Sequence, residues 1–172
     1  MNINKKNLCW GIGITAGLIA IGGIIHFARK PPAKPASKPP LKLTAWLKPV
    51  SGKVSSKFGY RVDPVKKLHQ FHNGIDLPVP VNTQVKNPQD GTVIDVLNNK
   101  EGGNQVLVRH SDGLVSGYAH LNKALVKKGD KVKKGQVIAL SGNTGKSTGP
   151  HVHMTLKDAK GNYLDPGTAL YS

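Results

Sequence analysis

From Thr92 to Lys157 the chain repeats one pattern: a short run of β-branched residues, then a glycine-bearing turn. The runs TVIDVL (92–97), NQVLVRH (104–110), LVSGYAHL (114–121), QVIAL (136–140) and HVHMTLK (151–157) read as strands, because Val, Ile and Thr suit a pleated, half-buried surface. Between them KEGG, SDG, KKGD, KKG, SGNTG and STGP supply residues that accept tight-turn dihedrals. The segment VKKGDKVKKGQVI (126–138) reads as a strand that doubles back through two Gly-centred turns, with Val126, Val132 and Val137 keeping one apolar face. No stretch of residues 45–172 holds a helical apolar period over about twelve positions. Short strands at this spacing predict a mainly β domain built on an antiparallel sheet.

The first quarter of the chain is different. Residues 8–28, LCWGIGITAGLIAIGGIIHFA, contain no Asp, Glu, Lys or Arg. About twenty apolar residues suffice to cross a bilayer core. After a short tail (1–7), this stretch reads as an uncleaved single-pass transmembrane anchor. A cleaved signal peptide is the alternative, but it would have a shorter apolar core and a small-x-small site, for which HFARKPPAK is a poor candidate. Residues 29–44, RKPPAKPASKPPLKLT, are rich in Pro and Lys and read as an extended, self-repelling linker with a reach of roughly 50 Å. Residues 45–172 form the globular domain. The only cysteine, Cys9, stands in the anchor, so no intrachain disulfide forms.

The chain carries 25 Lys and Arg against 9 Asp and Glu, a net charge of +16. All nine acidic residues fall in 45–172, so the domain is basic in its own right. Such a surface attracts polyanions or is simply well solvated, and the lysines of 126–138 could bind an anionic polymer. There is no recognition-helix pattern and no aromatic stacking platform, so no specific nucleic-acid partner is expected. Nothing in the pattern sets an oligomeric state.

Seven histidines occur, five of them beside strands or glycine turns. In FHNGID, His72 and Asp76 stand four apart. On a helix they would share a face, but Gly74 and the following LPVP argue for extended chain, where period 2 also puts them on one face. In HVHM, His151 and His153 share a face while Val152 points the other way. Two imidazoles with a third His and a carboxylate nearby make a plausible zinc environment, in which three protein ligands leave a fourth position for water. Tyr118 shares a strand face with His120 by the same period, so it could line a substrate cleft or simply pack. Arg61, in FGYR, could grip a substrate carboxylate or make a structural ion pair. Asn73 and Gly74 are expected to shape the turn that aims His72 and Asp76. His69 reads as a loop residue and His110 as a strand-end residue.

The motifs HNGID, YAHL and SGNTGKSTGPHVHMTL, in this order, resemble those of the lysostaphin/LytM-type zinc endopeptidases, which cut peptidoglycan peptides. SGKVSSKFGYRVDP and VKKGDKVKKGQVIALSGNTG are similar to that family as well, so the resemblance runs from about Val50 to Pro166. It implies a LytM-like peptidase fold and one Zn²⁺ per domain, held by His72, Asp76 and His153. It implies His120 and His151 as the catalytic pair, without saying which is the general base. Met154 and Thr155 depart from the aromatic and acidic residues the family often carries after its HxH. Some relatives place an inhibitory Asn on the zinc, but residues 29–71 contain no Asn.

The expected function is thus a membrane-anchored zinc endopeptidase acting on peptidoglycan peptides, in cell-wall remodelling or lysis, or in phage-encoded wall penetration. A catalytically inactive regulator of other wall hydrolases is the alternative; such relatives lose site residues, and here all five are present. The substrate requires the domain to face the wall, on the periplasmic or extracellular side. The charges flanking the anchor, Lys5 and Lys6 before it against Arg29, Lys30 and the linker lysines after it, favour the opposite topology. A virion membrane would remove that conflict.

Overall fold

A computed structural model describes residues 46–62 and 69–170 of the chain. The tail, the 8–28 anchor and the 29–44 linker lie outside these residues. Among the described residues no helix is long and apolar enough to cross a membrane. Among the described residues the elements are eleven strands, Gly59–Val62 (β1), His69–His72 (β2), Gly74–Pro78 (β3), Gln84–Lys86 (β4), Gly91–Asn99 (β5), Gly103–His110 (β6), Val115–Ala124 (β7), Lys131–Val132 (β8), Val137–Ser141 (β9), His151–Lys157 (β10) and Tyr163–Leu164 (β11), with one short helix, Pro166–Leu170 (α1). All strand pairs are antiparallel. The main sheet runs β11-β10-β7-β6-β5-β8, with β3 also on β10, and with β9 bridging β7 and β4. β1 and β2 form a separate hairpin.

Each run read as a strand from its composition is one, and β10 coincides with HVHMTLK. Its alternation is complete: Val152, Met154 and Leu156 are buried, while His151, His153, Thr155 and Lys157 are partly exposed. Across the sheet Met154 pairs with Ile75 on one side and Tyr118 on the other, which makes a row of the core. Val85, Val93, Val106, Val108, Leu121 and Ile138 complete it. Each such side chain contributes about 1.5–3 kcal/mol on burial. In the 126–138 repeat, Gly129 and Gly135 turn the chain with φ of 95° and 82°, and Val132 is fully buried between them. α1 was not foreseen. Asp165 caps it, accepting the Gly167 N–H at 2.8 Å, with Pro166 in the first helical position.

Two further readings are refined. His69 opens β2 rather than lying in a loop, and His110 does end β6. His110 is buried against Trp46, ring centroids 4.6 Å apart. Its Nδ1–H donates to the Asp90 carbonyl at 3.1 Å, so Nε2 accepts from the Ser116 hydroxyl at 2.8 Å. The Tyr118 hydroxyl donates to the same Ser116 oxygen at 2.9 Å.

Burial pushes the His110 imidazole below its ordinary pKa, only partly opposed by the Asp90 carbonyl and the Asp112 charge. An unfolded histidine titrates near 6.5. Between the folded and unfolded values the unfolded chain binds the extra proton, so this stability is present above about pH 6.5 and is lost as pH falls through that window. The urea midpoint is therefore expected to drop between pH 7.5 and pH 5, and His110→Gln should flatten that drop even while lowering the midpoint at pH 7.5. An unchanged pH dependence in the variant would remove His110 from this role.

Candidate metal centre

The site grows out of one row of the sheet. Asp76 on β3 pairs with His153 on β10, and His153 pairs with Ala119 on β7, so all three side chains stand on the face opposite Met154. His72 reaches the row from β2, because the chain breaks strand at Asn73 before β3 begins. His72 and Asp76 thus sit on two strands, not on one curved strand. The segment before β1 fixes Asp76 from the other edge: Ser55 N donates to its carbonyl at 2.9 Å and its own N–H donates to Ser56 O at 3.0 Å.

His72, Asp76 and His153 converge to within metal-ligand reach of one another. His72 Nε2 lies 3.2 Å from Asp76 Oδ1 and 3.2 Å from His153 Nδ1, and His153 Nδ1 lies 2.8 Å from Asp76 Oδ1. The outward nitrogens decide the protons. His72 Nδ1–H donates to the Lys57 carbonyl at 2.8 Å, and His153 Nε2–H donates to the Asn73 side-chain oxygen at 3.0 Å. A carbonyl only accepts, so in the neutral rings the inward nitrogens are left with lone pairs. Two imidazole lone pairs and a carboxylate oxygen then face one another, an arrangement that calls for a cation. Two ligands roughly 2.0 Å from a tetrahedral zinc would lie about 3.3 Å apart, close to the spacing here, and two nitrogens with one oxygen suit zinc.

Asp76 is held well below the usual carboxylate range: burial raises its pKa, but hydrogen bonds and charge from His153 and His72, in the doubly protonated rings of the metal-free cluster, outweigh that. It therefore stays an anion throughout the working pH range.

His120 and His151 flank this cluster, their ring centroids 4.6 Å apart. His120 Nδ1–H donates to the Thr144 carbonyl at 2.8 Å, and His151 Nδ1–H to the Gly149 carbonyl at 2.8 Å. Both Nε2 atoms are left as acceptors, and that of His151 lies 3.7 Å from Asp76 Oδ1. Burial lowers the His120 pKa, with the Thr144 carbonyl opposing, which favours the neutral ring. His120 itself has φ of 59°, the left-handed region that costs a non-glycine residue on the order of 1 kcal/mol or more. Its N–H leaves the ladder for Gly102 O at 2.8 Å, and the registers of β7 with β6 and β9 shift beside it. This bulge breaks the period-2 reading of YAHL.

Tyr118 therefore does not line the cleft. It is 1% exposed, its ring belongs to the core, and its hydroxyl is spent on Ser116; packing was its role. Arg61 stands on the hairpin next to the site. Its Nη1 lies 4.0 Å from Asp76 Oδ2 and donates to Ser56 Oγ, so it is an ion-pair partner of the second carboxylate oxygen. Sequence reasoning missed the orienting carbonyls of Lys57, Thr144 and Gly149, since a backbone acceptor leaves no residue signature. It placed Asn73 in the turn but did not foresee its bond to His153.

Gly74 is dictated by contact. A Cβ there would meet the Met154 carbonyl oxygen and come within 2.8 Å of His153 Cε1. Gly74→Ala is expected to force β3 from β10 and displace the His153 ring, costing about 1–3 kcal/mol of stability together with metal affinity. Denaturant titration and zinc titration of the variant check this, and wild-type values in both would contradict it.

Comparison with known proteins identifies the family. The model for peptidase family M23 matches residues 70–166. The peptidoglycan DD-endopeptidase ShyA of Vibrio cholerae is 46% identical over 111 residues, 63% of this chain and 26% of that protein. The DD-carboxypeptidase/endopeptidase Mpg of Neisseria meningitidis is 43% identical over 102 residues, 59% of this chain and 23% of that one. The chain spans about a quarter of the length of these curated relatives. Among solved structures, the catalytic domain of the antimicrobial peptidase lysostaphin from Staphylococcus simulans superposes with TM-score 0.63 at 33% identity, covering 70% of this chain and 93% of that one. A chain of the SpoIIQ–SpoIIIAH pore forming complex superposes with TM-score 0.64 at 27% identity, covering 74% and 92%.

Proposed function

The chain belongs to peptidase family M23, and on that premise we propose that it is a zinc-dependent endopeptidase cutting the peptides of bacterial peptidoglycan. The observation that carries the proposal is the set of three inward lone pairs on His72, Asp76 and His153 beside two imidazoles whose Nε2 atoms are unspent. His72, Asp76 and His153 would hold a zinc ion, which when bound would supply Lewis acidity to polarise a scissile carbonyl and acidify a water molecule. The chain's own groups do the rest. Asn73 and Lys57 fix which nitrogens of His153 and His72 face inward. Of His120 and His151, one Nε2 takes the proton of the attacking water, and the other stabilises the developing oxyanion or delivers a proton to the leaving amine. The Thr144 and Gly149 carbonyls hold both rings in the tautomer this needs. Arg61 stands against Asp76 Oδ2, which leaves Oδ1 to face the two imidazoles.

The named activities of ShyA and Mpg favour the D,D cross-link as the bond. Digestion of purified peptidoglycan, with mass spectrometry of the released muropeptides, tests this. Loss of cross-linked dimers with gain of monomers is expected. Cleavage confined to glycine bridges would overturn the bond assignment.

The second reading is a catalytically inactive regulator of other wall hydrolases, and the likeness to a chain of the SpoIIQ–SpoIIIAH pore forming complex supports a role in assembly with partners. Intact site residues weigh against it. No muropeptide release from several wall types would decide for it.

Residues 8–28 are proposed as the anchor and 29–44 as the spacer, with the domain on the wall-facing side of a cell or virion membrane. Protease accessibility of the domain in intact spheroplasts tests the cellular topology, and full protection would contradict it.

A further inference from the structure

The catalytic reading leaves unused the most heavily charged part of the domain. Segment 123–134, KALVKKGDKVKK, carries six lysines and one aspartate. The fold gathers it at one end of the sheet. β8 joins its two turns and pairs with the start of β5, while Gly135 N donates to Asn87 O at 2.7 Å. Two carboxylates answer the lysines from β5 and the loop before it. Lys133 Nζ meets Asp90 at 2.9 Å and Lys128 Nζ meets Asp95 at 3.8 Å, both pairs largely in water. Six lysines against Asp130, Asp90 and Asp95 still leave positive charge in surplus, and exposed pairs of this kind hold their side chains only weakly.

Two leucines stand among these lysines. Leu125, 48% exposed, sits between Lys123 and Lys127, its N–H bonded to Ile138 O at 2.9 Å. Leu47, 37% exposed, lies against the second turn, its side chain 3.9 Å from where a Cβ on Gly135 would stand. A hydrated polyanion has no use for exposed leucines. The boundary between headgroups and acyl chains takes leucine into the apolar side while lysines reach the phosphates.

Position in the chain agrees. Leu47 stands three residues after the proposed 29–44 linker in sequence. Leu125 stands just past the end of β7, five residues beyond His120 and so at most roughly 16 Å from it at the usual strand rise, and none of the docking residues belongs to the metal centre.

We infer that the end of the domain formed by Leu47, Leu125 and the lysine turns at 127–134 docks on an anionic phospholipid surface. The docking is electrostatic in reach and apolar in its last contact. It requires a bilayer near the domain but is independent of whether the site cleaves peptidoglycan.

The test uses the full chain with Cys9→Ser and Leu125→Cys, the new thiol carrying a fluorophore. The chain is inserted in nanodiscs of neutral phosphatidylcholine, or of the same lipid with phosphatidylglycerol, with a headgroup quencher. Recovery of the chain in neutral nanodiscs reports the anchor separately. Quenching is expected only with anionic lipid, and it should vanish near about 0.5 M salt. Lys127→Gln, Lys128→Gln and Lys131→Gln together should weaken docking on the order of tenfold or more, while peptidoglycan cleavage in detergent is unchanged. Equal quenching in both lipids, or quenching that the triple variant retains, would overturn the inference. Binding of a soluble phosphodiester polymer without any lipid quenching would also overturn it, and would assign the lysines to a wall polymer.

Discussion

His153→Ala is expected to cost the protein its zinc and its peptidoglycan cleavage together. His153 Nδ1 stands 2.8 Å from Asp76 Oδ1 and 3.2 Å from His72 Nε2, so its removal opens one side of the cluster. The remaining pair, one imidazole and one carboxylate, lacks the third ligand that a hydrolytic zinc site needs. Metal charge stabilisation is worth several kcal/mol in the transition state, and each 1.36 kcal/mol is a factor of ten, so turnover should fall by about 1000-fold or more. The fold should survive. His153 occupies the site face of β10, while Val152, Met154 and Leu156 hold the strand to the core. Metal content by mass spectrometry, circular dichroism and turnover on soluble muropeptides read the three quantities independently. A variant that keeps one zinc and native turnover would remove His153 from the ligand set.

His151→Ala should fail in the opposite manner, retaining zinc while losing turnover by roughly 100- to 10,000-fold, the usual worth of a positioned acid or base. His151 and His153 share a strand face two residues apart, yet their inner atoms differ. His153 turns Nδ1 into the cluster, whereas His151 spends Nδ1 on the Gly149 carbonyl and leaves Nε2 at 3.7 Å from Asp76. His120→Ala should behave like His151→Ala for the same reason, since its Nδ1 is bound to the Thr144 carbonyl. Loss of zinc in His151→Ala would show that the two rings are not divided between ligand and proton carrier.

How far the sequence reaches is clearest on β10. HVHMTLK alternates strictly, and the period alone placed Val152 inside with both histidines on the opposite face. The same rule failed on β7, because it assumes an unbroken ladder. The left-handed turn of the chain at His120 leaves no mark in YAHL beyond a residue type that tolerates it better than most. That bulge sends Tyr118 into the core and His120 to the site. His72 and Asp76 were recognised as a pair, but the interruption at Asn73 that puts them on separate strands depends on pairing with β1 and β10, which are distant in the chain. The short strands β4 and β11 leave no mark in the sequence for a related reason: two or three residues carry no period, and only their partners define them. Arg61 left two roles open in the sequence, and its approach to Asp76 supplies the ion-pair partner for one of them.

The central claim is that His72, Asp76 and His153 hold a zinc ion on which peptidoglycan cleavage depends. The most direct measurement is turbidity clearing of purified peptidoglycan by the wild-type protein before chelation, after it, and after return of one equivalent of zinc. Clearing should disappear with the metal and come back with the single equivalent. Clearing that persists in the metal-free protein would contradict the account.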